Sequence, residues 1–120
     1  DIGAGTGSVS VESAIQAEDG QVYAVEINPE AAGLIGENAR KFAVSNIKVI
    51  EGSAPEILKD LPAPDCVFIG GSKGRLEEIL ELIRKKNVSS EKESTGKSGI
   101  KCYFTGDIGA DSGILQKISD

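Results

Sequence analysis

Three glycines within five residues, Gly3, Gly5 and Gly7, follow Asp1 and Ile2 and lead into a run of helix-forming residues. Glycines at alternate positions let a backbone turn tightly and let a ligand lie against the chain without meeting a Cβ. An ordinary strand-to-helix turn seldom uses three of them. The loop Gly3-Ala4-Gly5-Thr6-Gly7 therefore reads as a ligand cradle, with Asp1 in front of it as a carboxylate placed to meet an ammonium. Glu26 ends a later β-rich run, and a carboxylate at a strand end can accept both hydroxyls of a ribose. Ile27 adjoins it and is counted with it. Glu51-Gly52-Ser53-Ala54-Pro55-Glu56 and Gly70-Gly71-Ser72-Lys73-Gly74 follow two further apolar runs. Ser53 and Ala54 suit the edge of a base. Gly70, Gly71 and Ser72 suit the side from which a second substrate would approach.

Spacing narrows the ligand. The dinucleotide fingerprint G-x-G-x-x-G/A would put its third glycine or alanine at Ser8. Here the third glycine is Gly7, one place early. Glu26 supports a nucleoside but does not choose between adenosyl and nicotinamide ligands, which share the ribose contact.

These residues must be carried by strands and helices. Ser8–Ala17 reads as a helix with Val11, Ala14 and Ile15 on one face. Val22–Ile27 reads as a buried strand after the turn signal Asp19-Gly20. Asn28-Pro29 starts a second helix, with Asn as cap and Pro at the first position. Its apolar set is Ala31, Leu34, Ile35, Ala39 and Phe42. Ile47–Glu51 and Cys66–Ile69 read as strands, with a short helix from Pro55 to Leu61 between them. Arg75–Lys86 reads as a strong helix whose face is Leu76, Ile79, Leu80 and Ile83, with Glu81 and Lys85 in favourable order on its surface. Asn87–Gly99 is polar and reads as a loop, Ile100–Thr105 as a further strand and Ser112–Ser119 as a weak helix. Strands alternating with helices at this rhythm give a parallel α/β sheet with right-handed crossovers.

Composition sets outer limits. The chain has 120 residues, enough for one domain, and a net charge of −6 that disfavours nucleic-acid backbones as partners. It has no histidine, which removes Ser-His-Asp chemistry and most zinc sites, so no metal is expected. Cys66 and Cys102 stand apart and read as free thiols of a cytoplasmic protein. No apolar run approaches the roughly 20 residues that span a bilayer, and no signal peptide is seen, so no membrane partner is expected. With no Met in the sequence and a start at a strand end, the domain is expected to be truncated at its N-terminus. Residues 1–86 read as a partial ligand-binding core and 87–120 as a polar loop with an unassigned, atypical tail.

Together the segments DIGAGTGSVSVE, VYAVEINPEAA, IKVIEGSAPEIL and VFIGGSKGRLEEIL resemble one family. It is the cobalt-precorrin-6B C-15 methyltransferase (decarboxylating) family, within the class I S-adenosylmethionine-dependent methyltransferases. The resemblance covers Asp1 to Arg84. The glycine loop and the ribose acid belong to the whole class, and the segments around Ala54-Pro55-Glu56 and Gly70–Leu80 are the more specific part. It implies a Rossmann-like class I methyltransferase fold, a parallel sheet with flanking helices. It implies S-adenosylmethionine as cofactor, with Gly3, Ala4, Gly5, Thr6 and Gly7 at the methionine portion, Glu26 at the ribose and Ala54 by the adenine. The implied reaction is methylation of a tetrapyrrole, a precorrin, at C-15 with loss of the ring C acetate carboxylate as carbon dioxide. Such a transfer needs in-line positioning more than a strong base, and no catalytic acid or base is assigned. The family usually has Asp where Ser53 stands and Gly where Lys73 stands. Residues 87–120 fall outside the resemblance, and it leaves room for a homo-oligomer of the intact protein. Two other readings stay open: a catalytically inactive adenosyl-binding remnant, and another class I small-molecule methyltransferase. A nicotinamide oxidoreductase is disfavoured by the glycine spacing.

Overall fold

The computed structural model describes residues 1–91 and 101–104, with side chains described for residues 1–87. The expected helix at Ser112–Ser119 and most of the expected polar loop lie outside the described residues.

The chain runs α1 (Ser8–Gln16), β1 (Val22–Glu26), α2 (Pro29–Lys41) and β2 (Ile47–Glu51). A 3-10 turn (Glu56–Asp60), β3 (Cys66–Ile69), α3 (Leu76–Glu91) and β4 (Lys101–Phe104) follow. β1 pairs in parallel with β2, from Val22 opposite Ile47 to Glu26 opposite Glu51. β3 pairs in parallel with β4, from Cys66 opposite Lys101 to Ile69 opposite Phe104. Ile2 joins the two pairs by parallel bridges to Val25 on one side and Ile69 on the other. Its N–H donates to the Phe68 carbonyl at 2.8 Å, and its own carbonyl accepts from Gly70 N–H at 2.8 Å. The strand order is thus β2, β1, the Asp1–Gly3 segment, β3, β4, all parallel. The glycine loop leaves the middle of the sheet.

Both faces of the sheet are covered, as a parallel sheet requires. Val25 and its neighbour Ala24 point to opposite faces by the two-residue period. Val25 joins a cluster with Ile2, Val67, Ile69, Leu58 of the 3-10 turn and Ile79 of α3. Ala24 is fully buried on the side of α1 and α2. Ile79, Leu80 and Ile83 of α3 are also buried, and each contributes roughly 1.5–3 kcal/mol of apolar burial.

Asn28 caps α2 as its sequence suggests, its Oδ1 accepting from Glu30 N–H and Ala31 N–H, with Pro29 inside the first turn. Asn46 ties the C-terminal end of α1 to the start of β2, its Nδ2 donating to the carbonyls of Ala14, Ala17 and Gly20. Three expectations need correction. α2 buries Ala32 and Ile35, while Leu34 and Phe42 are exposed. Ile15 of α1 is exposed, and its buried set is Ser10, Val11 and Ala14. α3 runs to Glu91, five residues beyond Lys86 into the segment read as a loop. The Lys101–Phe104 strand agrees with the expected strand near the C-terminus.

Candidate functional site

β1, β2, β3 and the Asp1–Gly3 segment all run in one direction, so the loops after them open on one edge of the sheet. The glycine loop is set first. Gly3 N–H and Ala4 N–H both donate to the Val25 carbonyl, at 2.9 and 3.0 Å, and Gly7 N–H returns to the Ala4 carbonyl at 3.0 Å. Asn38 of α2 holds the loop from outside, its Nδ2 donating to the Thr6 carbonyl at 2.8 Å. Two glycines are required by space as well as by conformation. Gly3 has φ +70°, and a Cβ there would lie 2.7 Å from Gly71 N and O. Gly7 has φ +89° and caps α1, and a Cβ would lie 2.9 Å from Ile35 Cγ2.

Glu26 is tied to this loop directly. Its Oε1 accepts from Gly5 N–H at 2.8 Å and its Oε2 from Asn28 N–H at 2.8 Å. Each oxygen takes one backbone bond, and an ionised carboxylate offers about four acceptor sites. The group is therefore fixed in direction and can still accept from two vicinal hydroxyls. The Glu26 carbonyl accepts from Gly52 N–H at 3.0 Å, which brings in the loop after β2.

A crevice lies at this edge. Gly3, Glu26 and Ile27 line one side of it, Ser53 and Ala54 a second, and Gly71 and Ser72 a third. Ile27 is half exposed and offers an apolar surface beside the Glu26 carboxylate. The other residues singled out in the sequence are not part of this lining. Ala4, Gly5, Thr6 and Gly7 form the outer turn of the loop. Gly70 is engaged by its backbone with Ile2. Asp1 has its Oδ2 accepting from Ser10 Oγ at 2.6 Å, and Ser10 is fully buried.

Sequence reasoning did not assign a site role to Ser10, Asn38 or Arg75. Arg75 lines the crevice and reaches Glu56 of the 3-10 turn and Glu78 of α3. The hydrogen bond from Arg75 holds the Glu56 carboxyl below the ordinary glutamate range, and the bonds to Glu56 and Glu78 push the guanidinium further up. Arg75 preceding the Glu77-Glu78 pair was visible in the sequence, but its tie to Glu56 needs the fold. Among the described residues no cluster of His, Cys, Asp and Glu could hold a metal ion, Cys66 is an exposed free thiol, and no helix is long and apolar enough to cross a membrane.

A parallel sheet of this order, with helices on both faces and a crevice at the strand ends beside a glycine loop and a fixed carboxylate, is a Rossmann-like α/β domain. The chain belongs to the precorrin methyltransferase domain family, whose family model matches residues 1–90. It is 49% identical over 88 residues to a probable cobalt-precorrin-6B C(15)-methyltransferase (decarboxylating) of Sulfolobus acidocaldarius, covering 72% of this chain and 45% of that protein. It is 46% identical over 81 residues to the cobalt-precorrin-6B C(15)-methyltransferase (decarboxylating) of Salmonella typhimurium, covering 68% and 41%. The chain thus spans about half the length of the curated relatives it matches. The crystal structure of precorrin-6y C5,15-methyltransferase from Geobacter metallireducens superposes with a TM-score of 0.79 at 37% identity. That match covers 97% of this chain and 57% of the other. A precorrin 8w decarboxylase from Methanobacterium thermoautotrophicum gives a TM-score of 0.65 at 39% identity, covering 72% and 46%.

Proposed function

We propose that the protein carrying this chain is an S-adenosylmethionine-dependent C-methyltransferase of cobalamin biosynthesis. It methylates a precorrin at C-15 and promotes loss of the ring C acetate carboxylate. The observation that carries the reading is the joining of Glu26 to Gly5 by a 2.8 Å hydrogen bond. It supports the reading by setting a carboxylate with free acceptor sites against a glycine loop, in a chain 46–49% identical over 81–88 residues to proteins bearing that name.

The residues fit an adenosyl group. Gly71, in the crevice lining, leaves open a space that a side chain would enter, and Glu26 keeps free acceptor sites for two hydroxyls. Ile27 offers an apolar surface and the Ala54 backbone a polar edge for adenine. Asp1, turned by Ser10, is a carboxylate for the methionine ammonium, and the Gly3–Gly7 loop runs beside that portion. Bound there, S-adenosylmethionine supplies a sulfonium methyl. The chain's own part is positional. It orients the nucleoside through Glu26, lets the glycine loop and the loop after β3 meet closely at Gly3, and borders the reacting side with Gly70, Gly71 and Ser72. Alignment of an electron-rich carbon with a methyl donor is itself a large share of such a barrier.

The test is methyl transfer from labelled S-adenosylmethionine to a precorrin or cobalt-precorrin by the intact protein, with carbon dioxide measured alongside. Label in the tetrapyrrole with matching carbon dioxide is expected. Adenosyl binding with no transfer to either substrate would instead mark an inactive adenosyl-binding protein.

A further inference from the structure

The loop after β3 contains a residue in a conformation that its side chain disfavours. Ser72 to Arg75 closes as a four-residue turn, with Arg75 N–H donating to the Ser72 carbonyl at 3.0 Å. Its two central residues, Lys73 and Gly74, have φ +50° and +78°. Positive φ at both central positions is the pattern of a type I′ turn, where Gly, Asn and Asp dominate because other side chains crowd the backbone. Gly74 meets this demand without strain. Lys73 does not, and a residue held in a sparsely populated conformation beside a crevice points to work done by its side chain.

Charge indicates what that work is. Lys73 and Arg75 are the cationic residues that line the crevice. Arg75 is committed to two carboxylates, Glu56 and Glu78, so that trio presents no surplus positive charge. Lys73 is exposed, and its ammonium has no hydrogen-bond or ion-pair partner among the described residues. On a chain of net charge −6, it is the crevice's unneutralised cation. It stands on the β3 side, across from the Glu26 carboxylate.

We propose that Lys73 is the carboxylate anchor of the crevice, a binding residue that fixes an alkyl carboxylate of a bound ligand through its ammonium. This rests on the proposed function for the identity of the ligands, which supply two sources of that group: the amino-acid end of the adenosyl cofactor and the acid side chains of the tetrapyrrole.

Three probes separate the sources: S-adenosylhomocysteine, which bears an amino-acid carboxylate; 5′-methylthioadenosine, which lacks it; and uroporphyrin, a stable tetrapyrrole polycarboxylate. Each is titrated against the wild-type chain, Lys73→Met, Lys73→Arg and Lys73→Gly. Lys73→Met should weaken at least one carboxylate-bearing probe by about 5- to 20-fold, the scale of one charge-assisted hydrogen bond, and leave methylthioadenosine unchanged. Lys73→Arg should retain most of the affinity. Weakening confined to S-adenosylhomocysteine assigns the anchor to the cofactor, and weakening confined to uroporphyrin assigns it to the substrate. Lys73→Gly should lose the same affinity while its melting temperature stays level or rises, because glycine relieves the turn. That outcome separates ligand anchoring from a structural role. Unchanged affinity for both carboxylate probes in Lys73→Met overturns the proposal, as does equal weakening of methylthioadenosine, or a wild-type chain that binds neither carboxylate probe. Lysine-dependent binding of uroporphyrin without any adenosyl binding would support the anchor and refute the cofactor assignment.

Discussion

At Glu26 each carboxylate oxygen already takes one backbone N–H, from Gly5 and from Asn28. The side chain therefore arrives at a ligand with its direction fixed. Hydrogen bonds to a charged group contribute about 1.5–3 kcal/mol, so Glu26→Ala should weaken binding of an adenosyl ligand by about that amount in calorimetric titration. Because the same change releases Gly5 and Asn28, melting of the unliganded variant must be measured beside affinity. Equal affinity in a folded variant would remove Glu26 from the site. Gly3 gives a second prediction. A methyl group there would meet Gly71 backbone atoms at 2.7 Å in a backbone with φ +70°. Gly3→Ala should destabilise the fold by roughly 1–3 kcal/mol through strain and loop separation. A denaturant midpoint like that of wild type would show that the two loops are not in contact.

Between elements, a few polar side chains hold the connections. Asn46 serves three carbonyls around the end of α1, and Asn46→Ala leaves them without that donor. A loss of about 1–3 kcal/mol is expected in urea unfolding, and a change below about 0.5 kcal/mol, typical of plain surface positions, would contradict it. The Glu56–Arg75 pair ties the 3-10 turn to the start of α3. Glu56 is held below its ordinary range chiefly by the hydrogen bond from Arg75. A carboxyl depressed in the folded state contributes stability above its unfolded pKa and loses it as pH falls through the folded value. The stability gap between wild type and Glu56→Gln should therefore be present at neutral pH and shrink as pH falls through and below the ordinary glutamate pKa of about 4.3. A gap that is constant or grows on acidification would contradict this.

Across the whole molecule, the sequence was most readable where one residue type has one physical use. Alternate glycines marked the loop, Asn28-Pro29 marked a helix start, and short β-rich runs between turn signals marked β1, β2 and β3. It was less readable where the answer depends on what packs opposite. Helical spacing draws the apolar set of α2 through Leu34 and Phe42, yet the face packed on the sheet and α1 buries Ala32 and Ile35. Phe42 falls at the helix end, where the chain turns away through Ala43 at φ +54°. The stretch after Lys86 reads as a loop because it is polar and rich in Ser, Lys and Glu. Extending an existing helix over such residues costs less than about 0.7 kcal/mol each, and α3 is already anchored by Ile79, Leu80 and Ile83. The four strand-end segments that border the crevice were readable. Ser10 behind Asp1, Asn38 behind Thr6 and Arg75 between two glutamates were not, because each acts on a residue distant in sequence or hidden by an ordinary role.

The edge shared by Gly3, Glu26 and Ala54 is proposed to bind an adenosyl group and not a dinucleotide. Isothermal titration of the chain with S-adenosylhomocysteine and, separately, with NAD tests it most directly. Saturable one-site binding of S-adenosylhomocysteine, weakened in Glu26→Ala, is expected, with no comparable binding of NAD. Binding of NAD as tight as or tighter than that of S-adenosylhomocysteine, or no adenosyl binding at all, would contradict it.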